Sequence, residues 1–183
     1  KMVEKQMLGS KTGKGFYFKD RSSKKGEILS LDLKTLEYKP QVKPKFATLD
    51  AAKKVDDLRE RTKLVYHGMD TAGEFYRRSF QAMFAYVSNR IPEISDELYR
   101  IDDAMRAGFG WELGPFEAWE AIGVKEVLAN MANRDPGSEA GMTVAQWVKD
   151  FMAAGNTHFY KREGGVRLFY DIPSRSYKPV PCQ

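Results

Sequence analysis

A mainly α-helical bundle with small β-hairpin appendages is predicted for this 183-residue chain on three observations. Apolar residues recur at three- and four-residue steps through most of residues 48–155. Two short aromatic segments lack that period and are bounded by glycine, proline and polar residues, as strands are. These two segments are also copies of one another. The first runs from Phe16-Tyr17-Phe18-Lys19 to Asp32-Leu33-Lys34-Thr35-Leu36-Glu37-Tyr38-Lys39-Pro40, the second from Phe159-Tyr160-Lys161 to Asp171-Ile172-Pro173-Ser174-Arg175-Ser176-Tyr177-Lys178-Pro179. Each copy sets Pro eight positions after Asp, whereas Phe to Asp takes 16 positions in one and 12 in the other, so the difference falls on a hairpin tip. A long helical stretch precedes the second copy, but only fifteen residues precede Phe16. The chain is therefore expected to begin inside a unit whose body lies upstream.

The elements follow in order. Residues 1–9 read as a helix end, with Val3, Met7 and Leu8 on one side and Gly9 as the stop. Phe16-Tyr17-Phe18 and Ile28-Leu29-Ser30-Leu31 read as two strands around the polar tip at 20–26. Pro40 and Pro44 punctuate a linker. Thr48 caps a helix running through Ala51, Ala52, Val55 and Leu58. The strongest helix starts at Asp70 or Thr71 and carries Tyr76, Phe80, Met83, Phe84, Val87 and Ile91, with Pro92 disturbing its end. Leu98, Ile101 and Met105 form the next stripe, stopped by Gly108. Pro115 opens a helix that Gly123 closes, with Phe116, Trp119 and Ile122 on one face. Val127, Leu128 and Met131 make a short helix, and 134–141 a polar loop. Thr143 and Gln146 form a capping box for a helix holding Val144, Trp147, Val148 and Phe151, which Gly155 stops before the second hairpin. The expected organisation is thus 1–40, the tail end of a first unit; 41–47, a linker; and 48–183, a second helical unit ending in a hairpin.

Composition narrows the function classes. A hydrophobic content of 42% supports a packed core. No apolar run approaches the roughly 20 residues that span a bilayer, so no membrane span is expected. Cys182 is the sole cysteine, which precludes an internal disulfide and fits a reducing cytoplasm. Charge is uneven. Residues 1–64 carry 17 Lys/Arg against 9 Asp/Glu, and residues 65–183 carry 13 against 16. The basic part could meet a phosphate, but lysines scattered among acids more often serve solubility.

Several motifs mislead. Gly108-Phe109-Gly110-Trp111-Glu112-Leu113-Gly114 resembles a dinucleotide loop, but G-x-G-x-x-G would need glycine at 113, and a helix precedes it where a buried strand is required. Lys11-Thr12-Gly13-Lys14-Gly15 opens a strand, whereas a phosphate loop opens a helix. His67 and His158 are the only histidines, and neither has a metal-ligand partner at useful spacing. Asp96, Glu97, Asp102 and Asp103, interleaved with Arg100 and Arg106, read as a solvated helix face. Phe16, Tyr17 and Phe18 are consecutive and point to alternate faces, which argues against a base-stacking surface for nucleic acid. Catalytic, cofactor-binding and metal-ligating residues are therefore all expected to be absent.

Two segments carry a family resemblance. Leu8-Gly9-Ser10-Lys11-Thr12-Gly13-Lys14-Gly15-Phe16-Tyr17 resembles the G-x-K-[TS]-G-x-G-F-Y signature that ends the C-terminal domain of 3-hydroxyacyl-CoA dehydrogenases. Ile101-Asp102-Asp103-Ala104-Met105-Arg106-Ala107-Gly108-Phe109-Gly110, followed by Gly114-Pro115-Phe116-Glu117, is similar to that domain's centre, I-D-x-A-M-x-x-G-x-G…G-P-F-E. Two copies in tandem resemble the long, multifunctional β-oxidation members. The resemblance covers residues 1–20 and 70–165 and implies a division of labour. A nicotinamide-binding Rossmann domain with a catalytic His–Glu pair, and a first helical domain, would precede Lys1; an enoyl-CoA hydratase domain could follow Gln183. NAD would be the parent's cofactor, bound outside these residues, and acyl-CoA its substrate. The helical domains would cover the cleft and pair within a chain or as a homodimer.

One departure stands out. Where the family's first helix carries V-N-R, this chain has Tyr76-Arg77-Arg78, so Arg77 replaces the Asn that reaches the active site. The second copy then reads as a structural partner, and Arg77 and Arg78 remain candidates for a substrate contact. The other motif residues have plain physical roles. Gly13 and Gly15 free the backbone before Phe16 and Tyr17, and Met105 lies on an apolar stripe. Gly108 and Gly110 reverse the chain, and Gly114, Pro115, Phe116 and Glu117 start a helix. Two other readings are a non-catalytic self-association scaffold recruiting β-oxidation domains, and a helical domain of the 6-phosphogluconate dehydrogenase type, which the F-Y and G-P-F-E segments disfavour.

Overall fold

Close backbone approach sets up the first sheet. A Cβ on Gly15 would lie 2.7 Å from the Gly9 Cα, so only glycine lets the two strands of chain meet there. The antiparallel sheet that follows has the order β1 (Tyr17–Asp20), β2 (Glu27–Leu31) and β3 (Tyr38–Pro40). These belong to the first of two compact units, Lys1–Lys45 and Phe46–Gln183, in the computed structural model, which describes residues 1–22, 26–132 and 143–181. The polar loop at 134–141 and Cys182 lie outside the described residues. Residues 1–7 form hydrogen-bonded turns, not the expected helix end. Val3 and Leu8 are exposed, and so short a helix without a packed face gains too little to form.

The second unit contains α1 (Ala47–Ala52), α2 (Leu58–His67), α3 (Thr71–Asn89), α4 (Leu98–Phe109), α5 (Pro115–Ile122), α6 (Val124–Ala132) and α7 (Gln146–Ala153). A second antiparallel sheet follows, ordered β4 (Tyr160–Glu163), β5 (Val166–Asp171) and β6 (Ser176–Pro179). The mainly α class with small β appendages is therefore what the chain adopts. Each appendage has a third strand beyond the expected hairpin, because the Asp-to-Pro tail turns back and pairs with the second strand.

Three helix boundaries differ from expectation. The helix expected to be capped by Thr48 is two helices, and the first has Phe46 as its N-cap with Thr48 inside it. Asp57 accepts the Glu60 amide at 2.9 Å and starts α2 afresh, while Arg61 donates to the Val55 and Asp56 carbonyls in the break. Helix α4 passes through Gly108 and ends at Gly110, which takes the left-handed conformation at φ 66°. At α7 there is no Thr143–Gln146 box. Ala145 is the N-cap, its amide held by Ser88 Oγ at 3.0 Å.

Helix α5 is the hub, with Pro115 to Trp119 and Ile122 all buried. A helix apolar on nearly every side belongs inside a bundle. Trp119 stacks on Phe84 of α3 with ring centroids 4.9 Å apart. Phe159, just ahead of β4, is fully buried among Phe116, Trp119 and Phe151, with centroids 5.1 to 5.4 Å away. This aromatic insertion fixes the second sheet against the helices and positions Tyr160 next to α4 and α5.

Candidate functional site

The start of α5 has a chemical problem that the fold solves from elsewhere. Its first amides need an acceptor, but the N-cap residue is Gly114, which has no side chain to offer. Asp102 of α4 fills the role. Its Oδ1 accepts the Phe116 amide at 2.8 Å and its Oδ2 the Glu117 amide at 3.2 Å. The Tyr160 hydroxyl donates to the same Oδ2 at 2.6 Å. Asp102 is completely buried. A Cβ on Gly114 would lie 2.3 to 2.4 Å from Asp102 Cβ, Cα and Cγ, so glycine is what lets the carboxylate reach the helix start.

Glu117 completes the junction. Its Oε2 accepts the Gly114 amide at 2.8 Å, the N3 half of a capping box whose other half Asp102 supplies from α4. The same oxygen accepts from Arg106 Nη1, and Oε1 accepts from Arg167 Nη2 of β5 at 2.6 Å. Arg106 also pairs with Asp103. The Arg167 guanidinium stacks over the Tyr160 ring at 4.4 Å. One carboxylate of α4, one of α5 and three partners thus tie two helices to the second sheet.

The two carboxyl groups are driven in opposite directions. Burial raises Asp102 to about 7 against the pull of Tyr160 and the two amides. Burial also acts to raise Glu117, yet the Gly114 amide and the Arg106 and Arg167 guanidinium groups together hold it below the ordinary carboxylate value. Burial and the Asp102 charge push the Tyr160 hydroxyl far up, so it remains a donor. The folded state therefore holds the Asp102 proton more tightly than the unfolded chain, whose Asp titrates near about 3.9. This contribution to stability is fully present below the unfolded value and is lost as pH rises through about 7. Glu117 has the opposite sign, its contribution being lost as pH falls below the ordinary carboxylate range. Glu120 is raised by burial and acts in the same direction as Asp102, so the comparison must be a difference. Between about pH 4.5 and 7.5, wild type is expected to lose about 2–4 kcal/mol of stability relative to Asp102→Asn in urea denaturation. Parallel profiles for the two proteins would contradict a buried, raised Asp102.

The fold separates the sequence-predicted residues into three groups. Gly114, Pro115, Phe116 and Glu117 meet at the junction, and all four are buried. Met105 is half-buried on α4, and Gly110 makes the turn, but Gly108 lies within the helix with open space beside it and does not reverse the chain. Gly13, Gly15, Phe16 and Tyr17 belong to the first unit, where Gly13 is left-handed at φ 73°. Arg77 donates to the Tyr66 and Gly68 carbonyls at 3.0 and 3.2 Å, capping the C-terminus of α2. Arg78 pairs with Glu74 on the exposed face of α3 at 2.6 Å.

Asp102 is the junction residue whose place the local sequence pattern does not reveal. The run of Asp96, Glu97, Asp102 and Asp103 reads as a solvated face, yet Asp102 shares the buried stripe of α4 with Leu98 and Tyr99. Its i+4 and i+3 spacing from these two, ahead of a helix whose N-cap is glycine, was the available signal. His158 lies 3.9 Å from Glu120, whose Oε1 is occupied by the Tyr160 amide.

The α5 start does not fit a dinucleotide. A pyrophosphate would need the helix-start amides, and those of Gly114, Phe116 and Glu117 already face Glu117 and Asp102. Among the described residues, no cluster of three or more His, Cys, Asp or Glu side chains could hold a metal ion, and no helix is long and apolar enough to cross a membrane.

Comparison with known proteins places this junction in a family context. The chain is 36% identical over 170 residues to a probable 3-hydroxyacyl-CoA dehydrogenase of Bacillus subtilis (strain 168), an alignment covering 93% of this chain and 20% of that protein. It is 29% identical over 119 residues to a putative fatty acid oxidation complex trifunctional enzyme of Rickettsia felis, covering 64% of this chain and 15% of that protein. A protein of the same description from Rickettsia prowazekii is 26% identical over 117 residues, with the same coverage. No family model and no solved structure matches the chain. The chain is therefore homologous to part of the 3-hydroxyacyl-CoA dehydrogenases and of the fatty acid oxidation trifunctional enzymes, and spans about one-fifth or less of the length of these relatives.

Proposed function

We propose that this chain is the C-terminal helical region of a long 3-hydroxyacyl-CoA dehydrogenase and serves it as a brace and cleft cover, without supplying catalytic residues. The parent oxidises (S)-3-hydroxyacyl-CoA to 3-oxoacyl-CoA in the cytoplasm and passes hydride to NAD held by an upstream Rossmann domain. A first helical domain precedes this region, and the relatives named as trifunctional enzymes favour a further enoyl-CoA hydratase domain in the same polypeptide. The observation carrying this reading is the homology over 93% of the chain to a 3-hydroxyacyl-CoA dehydrogenase. It is supported by the junction, whose charged groups are consumed in holding α4, α5 and the second sheet together.

The test is turnover. Purified residues 1–183 are expected to give no NADH from (S)-3-hydroxyacyl-CoA and NAD, while the longer protein gives it readily. Turnover by the 183-residue chain alone would overturn the reading. A non-catalytic self-association scaffold is the second reading. Light scattering that shows dimers of this chain, with no heat of binding in acyl-CoA titration, would support the self-association scaffold instead.

A further inference from the structure

The two sheets are alike down to individual hydrogen bonds. Tyr17 pairs with Ser30 as Tyr160 pairs with Phe169. The Leu31 amide donates to the Phe16 carbonyl at 2.9 Å, and the Tyr170 amide to the Phe159 carbonyl at 2.7 Å. Tyr38 hydroxyl donates to the Gly15 carbonyl, and Tyr177 hydroxyl to the His158 carbonyl. Lys39 pairs with Asp32 at 2.7 Å, and Lys178 with Asp171 at 2.7 Å. Even the left-handed residue four positions after each Asp recurs, at Leu36 (φ 58°) and Arg175 (φ 52°).

What differs is the cover. In the second copy Phe159 is fully buried in the helical bundle and Tyr160 donates to the buried Asp102. Ile172 packs against the same core. In the first copy the matching residues are Phe16, Tyr17 and Leu33, which are 61%, 61% and 66% exposed. One sheet design thus has its apolar face seated in one case and bare in the other. The bundle of the second unit already holds its own sheet, so its seat is taken.

We propose that the exposed apolar residues Phe16, Tyr17 and Leu33 of the first sheet dock onto a second helical bundle, built like the one that follows Lys45 and contributed by an upstream segment of the same longer polypeptide. That bundle offers an aromatic floor for Phe16 and a buried carboxylate, at the start of one of its helices, that accepts the Tyr17 hydroxyl. This inference rests on the reading that the chain is part of a longer dehydrogenase. The match is not complete at every position. Ile28 stands where Arg167 pairs with Glu117, so the upstream bundle is expected to lack an acidic partner at that point.

The test is thiol labelling in a Cys182→Ser background. Phe16→Cys and Leu33→Cys are introduced separately, with Ser22→Cys at the hairpin tip as control, and maleimide modification is read at each site by peptide mass spectrometry. In the 183-residue chain all three sites are expected to react at similar rates. In the longer protein, sites 16 and 33 are expected to react at least tenfold more slowly, with site 22 unchanged. Equal rates at 16 and 33 in both proteins would overturn the docking. Protection already present in the 183-residue chain, rising with protein concentration alongside a dimer in light scattering, would overturn it in favour of a second copy as the cover. A full-length protein without any helical segment ahead of these residues would remove the underlying reading itself.

Discussion

Gly114→Ala is expected to lower the melting temperature of the 183-residue chain by roughly 10 °C, and Gly114→Val to abolish cooperative folding. The cause is a collision, since the added Cβ would sit 2.3 Å from Asp102 Cβ and 2.4 Å from its Cα. Separations below about 3 Å cannot be relieved by rotating a side chain when backbone is involved, so α4 and α5 must move apart. Overpacking costs about 1–3 kcal/mol, and a clash with backbone belongs at the upper end of that range. The movement would also lengthen the capping bonds from Asp102 to Phe116 and Glu117. Gly108 supplies the control. It belongs to the same motif but lies inside α4, where a Cβ meets nothing within 4 Å. Gly108→Ala is expected to be neutral or to stabilise by up to about 1 kcal/mol, because alanine is the better helix former. Paired thermal melts check both outcomes. Equal losses at the two positions would contradict the collision.

Asp102→Ala is expected to cost about 3–5 kcal/mol in urea denaturation, the second large effect. It would strand two helix-start amides and the Tyr160 hydroxyl in a buried site. Tyr160→Phe, which removes one donor and leaves the carboxylate its two amides, is expected to cost about 1 kcal/mol. The double variant should cost less than the sum of the two, because the Asp102–Tyr160 bond is then lost only once. Strict additivity would mean that the two groups do not interact in solution.

Periodicity and punctuation made much of the fold legible. Helix α3 was visible from its aromatic stripe and its Asp70 cap, which accepts the Gly73 amide at 2.9 Å. Helix α5 was visible because Pro115 and Gly123 bracket it. The repeat announced both sheets, though not their third strands, since Tyr38-Lys39-Pro40 and its copy are too short to register as strands alone. Local reasoning failed where a distant partner decided the outcome. Asp102 sits in a run of charges and looks solvated until α5 is placed against it. Arg77, a candidate for substrate contact in the sequence, donates to the C-terminal carbonyls of α2, a role that only the placement of that helix reveals. In both cases the deciding group lies nine or more positions away and belongs to another element.

The central claim is that the charged residues of the G-P-F-E region hold the fold together and take no part in hydride transfer. It is tested most directly by Asp102→Asn in the longer dehydrogenase, with thermal stability and kcat measured on the same preparation at a temperature where both proteins are folded. The account predicts a melting temperature lowered by several degrees and a kcat within about twofold of wild type. An unchanged melting temperature with a kcat reduced a hundredfold would contradict it and place Asp102 in the chemistry.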